Sequence, residues 1–247
     1  MVFRKKKQCD ETFEEELEDV YFTGEKNNEE IRLGRVWIWT AIDTVSRLLF
    51  CWRVGGHKLR DAILMIGDVA KRIIGMPLFV SDELKHYTTA LATQYRKIIP
   101  AEPTGKRGRP RKDISIIDEN LMYATVHKTR QNNRVISVET KIIFGDPDKI
   151  LKILESSPCH KINTVYIERS NLNWRLWDSH LTRKTMCFSR SVDHMKAKLA
   201  ICLVNYNFIR PHSTLSKRFD HLTMKNFTLP TTPAMVAGIT DRPLTFT

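Results

Sequence analysis

The chain has 247 residues, 40 of them Lys or Arg against 28 Asp or Glu, so it carries a formal charge of +12 and a pI near 9.6. That length suits one large domain with a substantial core, and the positive excess attracts a polyanion in a salt-dependent way, nucleic acid first among the candidates. No apolar run of about eighteen residues and no signal-peptide order argues against a membrane partner. Cys9, Cys51, Cys159, Cys187 and Cys202 form no CxxC pair, which argues against a zinc module; the thiols are expected to be reduced in a soluble, intracellular protein.

The N-terminal stretch FRKKKQCDETF is poor in apolar residues and does not read as a strand from its pattern. The acidic cluster of Glu14, Glu15, Glu16, Glu18 and Asp19 reads as a solvated loop. VWIWTAID (36–43) alternates and is rich in β-branched and aromatic residues; with RLLFCWRV (47–54) it predicts a hairpin closed by Gly55 and Gly56. Leu59, Ile63, Ile66, Ala70 and Ile73 then recur at helical spacing up to Gly75. PLFVSD reads as a short buried strand that ends in Asp82, and a helix follows over 84–95.

PAEPTGKRGRPRKD is a loop by its Pro and Gly content. Its basic run, Lys106, Arg107, Arg109, Arg111 and Lys112, surrounds a GRP that resembles a minor-groove clip, with a plain solvated loop as the alternative. LMYATVHKTR and RVISVETKIIF predict a second hairpin, and Asp146 caps a helix through ILKIL that breaks at Pro158. The stretch 103–160 as a whole is read as an insertion, because it separates Asp82 from Glu168 widely. A last helix is predicted over 189–209, with Val192, Met195, Leu199, Leu203 and Tyr206 as a core stripe, and 210–247 reads as an extended tail over the domain.

The most informative segment is NTVYIERSNLNWRLWDSHLTRKTMCFSRSVDHMKAKLAICLVNYNFIRPHSTL, which sets Glu168 at the head of a helix loaded with Arg, Asn and Trp. Arg169, Asn171, Arg175, Arg183 and Lys184, with Arg210 and His212 further on, are candidates for contact with DNA phosphates. Trp174 and Trp177 are stacking candidates, although a helix lying on a sheet needs at least one of them inside. Glu168 together with Asp10 and Asp82 supplies the hard oxygen ligands that a pair of magnesium or manganese ions needs. Singly, each acid has a plainer alternative: Asp82 a helix cap, Glu168 a surface ion pair, and Asp43 a turn aspartate that could instead be the first metal ligand.

YIERSNL, LTRKTMCFSRSVDHMKAKLA, NYNFIRPHSTL and TPAMVAGITD resemble the C-terminal half of DDE transposases from bacterial and archaeal insertion sequences, and the likeness runs from QCDE at Cys9 to Asp241. The resemblance implies a single ribonuclease H-like catalytic domain, a mixed sheet with helices on both faces. It implies Asp10, in the DE dipeptide with Glu11, as the first acid on an opening strand, and two Mg2+ or Mn2+ ions. It also implies hydrolytic nicking at element ends followed by strand transfer to target DNA, in a homo-oligomer associated with the nucleoid of a prokaryotic cytoplasm. Such proteins usually carry an upstream segment that reads the element ends, and this sequence begins almost at the first catalytic strand, so the expectation here is a catalytic domain without that segment. The alternatives are a DNA-binding remnant without catalysis and a ribonuclease H-type nuclease.

Overall fold

The computed structural model describes residues 36–101, 113–132, 134–182, 186–187, 189, 191–216 and 230–245. Strand β1 (Trp37–Ile42) pairs antiparallel with β2 (Leu49–Gly55), the hairpin that the alternating pattern anticipates. Because successive strand residues face opposite ways, Trp39 and Ala41 enter one core while Ile38 and Ile42 enter another. Helix α1 (Leu59–Ala70) fills the first core with Ala62, Ile63, Met65, Ile66 and Val69, and α2 (Lys85–Gln94) adds Ala90 and Leu91. Trp174, Met195, Leu199 and Tyr206 from later helices fill the second, so helices cover both faces of the hairpin. Gly55 ends the hairpin for a steric reason: a Cβ there would lie 2.3 Å from Oδ1 of Asp61 on α1.

Strand β3 (Leu78–Asp82) pairs in parallel with β6 (Met122–Gln131), which pairs antiparallel with β7 (Arg134–Phe144), giving a mixed sheet. Strands β4 (Arg96–Ile99) and β5 (Ile114–Ile117) form a separate antiparallel pair on either side of the basic loop, and the sequence pattern did not reveal them. The sequence reads 103–160 as an insertion, and within that stretch lie β5, β6 and β7. Residues 121–126 are all buried, and β6 joins β3 to β7, so this part of the stretch belongs to the core. The continuous apolar run before His127 is the mark of a strand covered on both faces. Gly145, at φ +100°, lets β7 turn past β6, since a Cβ would meet Met122 Cγ at 2.9 Å.

Helix α3 (Pro147–Ser156) starts as anticipated, with the Asp146 side chain accepting from the Asp148 amide at 3.1 Å. Helices α4 (Val165–Trp177) and α5 (Val192–Val204) follow, and α5 runs on into a π-helical turn, Asn205–Ile209. That turn faces Asn207 toward β2, where its amide donates to the Leu49 carbonyl at 2.9 Å and its oxygen accepts from the Leu49 amide at 3.0 Å. A side chain thus takes the place of a neighbouring strand. The C-terminal segment packs rather than merely drapes: Leu215, Thr232 and Ala234 are buried, and α6 (Pro233–Val236) is capped by Thr232.

The product is a mixed α/β protein whose described strands fall into three sheets. The opening strand that the resemblance requires around Asp10 lies outside the described residues, as do Lys106, Arg107, Arg109, Arg111, Lys112, Arg183 and Lys184. Among the described residues, no helix is long and apolar enough to cross a membrane.

Candidate active site

One cavity of about 1170 Å3 opens beside the hairpin, and Asp43, Asp82 and Glu168 all line it. Asp82 arrives at the last residue of β3, where the parallel register sets it opposite Val126 of β6. Partners in a parallel register share a face, and so do residues two apart on a strand, so Lys128 stands on the Asp82 face about 6.6 Å further along β6. Lys128 Nζ donates to Glu168 Oε1. The helix glutamate and the strand aspartate therefore approach the same face of the sheet, one directly and the other through a lysine.

Glu168 sits in the first turn of α4, where the helix dipole favours an anion. Thr164, the residue that precedes the helix, makes no side-chain cap; its hydroxyl donates to Glu168 Oε1 at 2.6 Å instead. Burial pushes the Glu168 pKa up, but the hydrogen bonds from Lys128 and Thr164 and the charges of Lys128 and Arg130 outweigh it and hold the carboxyl below its usual value. Glu168 is thus an ionised group with Oε1 doubly engaged and Oε2 without a hydrogen-bond partner among the described residues.

Around Asp82 the surroundings are phenolic. Burial raises the pKa of Tyr87 strongly and of Tyr123 as well, with the Asp82 charge adding to both, so the two hydroxyls stay protonated. Tyr123 lies wholly inside, its hydroxyl 2.7 Å from Ser81 Oγ. On the opposite face of the strand end, His127 Nδ1 meets Glu83 Oε2 at 2.5 Å. Asp43 is engaged by its own turn: Oδ1 accepts from the Val45 amide at 3.3 Å, and Oδ2 from the Ser46 amide at 2.7 Å and the Ser46 hydroxyl at 2.5 Å. This is the turn-aspartate arrangement, with the carboxylate still at the cavity wall.

The donor chemistry suits a hard divalent cation, since Glu168 already holds one cation and its second oxygen is open. Among the described residues, however, no three His, Cys, Asp or Glu side chains group closely enough to hold one ion. Asp82 and Glu168 both present carboxylates to the cavity, and Asp10, the third acid in the sequence reading, lies outside the described residues.

The expected DNA contacts divide by environment. Arg169 is exposed and Asn171 lines the cavity, whereas Arg175 is half-buried. Arg210 is exposed and stands 5.5 Å over the Trp177 ring. Trp174 is buried and Trp177 packs against the same core, so these two serve the helix–sheet contact. His212 serves the chain's own turn: its amide donates to the Thr231 carbonyl at 2.8 Å, and burial first, then the nearby Arg47 charge, lowers its pKa. A neutral, half-buried histidine is poorly suited to hold a phosphate.

Sequence reasoning missed Lys128, Tyr123 and Arg47. Arg47 is buried at φ +64°, its guanidinium 3.1 Å from the centre of the Tyr166 ring on α4, so it pins that helix to the hairpin turn. The signal that could have found Lys128 was the abrupt change from apolar 121–126 to HKTR within one strand. Compared with known protein families, with characterised proteins and with solved structures, the chain matches none of them.

Proposed function

We propose that this chain is the catalytic domain of a DDE-type DNA transposase with a ribonuclease H-like arrangement, in which Asp10, Asp82 and Glu168 hold magnesium or manganese. The observation that carries the reading is that Asp82 and Glu168 line one cavity, with Lys128, on the Asp82 face of β6, paired to Glu168. It is joined by the +12 charge and by the sequence blocks that resemble such enzymes. Bound ions would supply activation of the attacking oxygen and neutralisation of the departing one.

The residues of the chain have separable parts in this scheme. Glu168 is kept ionised by Lys128 and Thr164, and Asp82 is held at the end of β3, which pairs with β6. Arg169, beside Glu168, and Asn171, on the cavity wall, suit contacts to the DNA backbone. Lys128 and Arg130 offer positive charge on the approach to the acids.

A second reading, a DNA-binding protein without catalysis, is favoured by one observation: Glu168 is already satisfied by an ion pair, as a plain scaffold would have it. A joining assay decides between them. The DNA flanking the gene is sequenced for inverted repeats, and such ends, supplied as duplexes with free 3′ ends, are incubated with the protein, a divalent cation and a target plasmid. Joined product that falls at least ~100-fold with Asp82→Asn or Glu168→Gln, at unchanged DNA affinity, supports the transposase. Hydrolysis without joining assigns a ribonuclease H-type nuclease, and binding without chemistry assigns the scaffold.

A further inference from the structure

Lys128 is not one of the carboxylates, and its position gives it a part of its own. It leaves the sheet two residues beyond the point where β6 stops pairing with β3, on the Asp82 face, and donates to the same Glu168 oxygen that Thr164 fixes. Its side chain is only 21% exposed while that of Glu168 is 49% exposed, so the lysine is the more covered partner of the pair. An ammonium ion within a carboxylate's reach there occupies space and charge that a hard divalent cation would take. We infer that Lys128 is an internal stand-in for the metal: it neutralises Glu168 while no divalent ion is bound, and a metal ion arriving between Asp82 and Glu168 must displace it.

This inference rests on the metal-holding role of Glu168 proposed above. It accounts for an acid facing the cavity that is already neutralised. A stand-in of this kind lets the sheet and helix fold around a neutral pair, and it makes metal affinity lower than the carboxylates alone would give. Once displaced, the ammonium would remain a positive charge on the Asp82 face of β6. Lys128 is thus a positioning residue, acting through Glu168.

The test reads metal binding without catalysis. Manganese is titrated into the full chain and the free aqueous ion is followed by electron paramagnetic resonance, for wild type, Lys128→Gln, Lys128→Met and Glu168→Gln, each checked for folding by circular dichroism. Removing the competing ammonium should tighten manganese binding by roughly five- to tenfold in both Lys128 variants, while Glu168→Gln should weaken it. Two Lys128 substitutions of different polarity protect the result against one failing to fold. Unchanged or weaker binding in the Lys128 variants, with Glu168→Gln still losing affinity, overturns the stand-in and leaves the metal site intact. Identical binding in wild type and Glu168→Gln overturns both, because Glu168 would then hold no metal.

Discussion

The two halves of β6 differ as sharply as two separate elements would. Met122 to Val126 are buried and lie in parallel register with β3, so each side chain is fixed by neighbours on both sides. From His127 onward β3 has ended, β7 alone pairs with the strand, and the side chains turn outward to Glu83 and Glu168. The contrast shows how a fold places chemistry: the buried half sets a register that the polar half inherits, and the register decides which face Lys128 and Asp82 share.

The comparison can be broken most forcefully in the buried half. Tyr123→Ala removes a ring with no exposed surface and should cost about 3–5 kcal/mol in a denaturant titration. Tyr123→Phe keeps the ring and loses only the hydroxyl's contacts with Ser81 and Thr88, so the cost should fall to about 0.5–1.5 kcal/mol. If both variants were equally mild, the buried half would not be the scaffold described. Asn207→Ala leaves the Leu49 amide and carbonyl unpaired inside and should cost about 1–3 kcal/mol.

In the polar half the same measurement should barely respond. The Lys128–Glu168 pair is partly exposed, so Lys128→Gln should shift stability by no more than about 1 kcal/mol, its larger effect appearing in cation binding. A loss as large as that of Tyr123→Ala would make Lys128 a structural residue. The smallest effect is expected at His212, where scaffold and DNA contact can be told apart by pH. Its folded pKa lies below the ordinary 6.5. The neutral form is therefore the stable one: its contribution is fully present above the unfolded value and is lost as pH falls from there through the folded pKa. His212→Gln should flatten the pH dependence of the melting temperature in that window. If the substitution instead leaves that slope unchanged and weakens DNA binding, His212 belongs to the DNA surface.

Much of this architecture was legible in the chain. Alternation in 36–43 and 47–54, the Asp146 cap and the α5 stripe of Met195, Leu199 and Tyr206 each follow from local rules that tertiary packing did not override. What was not legible is long-range. Lys128 and Glu168 stand 40 positions apart, and nothing local in either marks the other as its partner. The same holds for 103–160: a hairpin signal says that two strands meet, but not that one of them also lies beside β3 in parallel. Trp174 and Trp177 are stacking candidates in the sequence, with at least one expected inside, and both pack on the second core.

The central claim is that Asp82 and Glu168 face one metal ion, and iron-directed cleavage of the protein tests it most directly. Fe2+ is bound in place of magnesium, peroxide and ascorbate generate hydroxyl radicals at the ion, and the fragments of the chain are mapped by mass spectrometry. Cuts near residues 82 and 168, suppressed together by excess Mg2+ and lost in Glu168→Gln, are the expected result. Cuts at only one of the two positions, or a pattern that Glu168→Gln leaves unchanged, would contradict it.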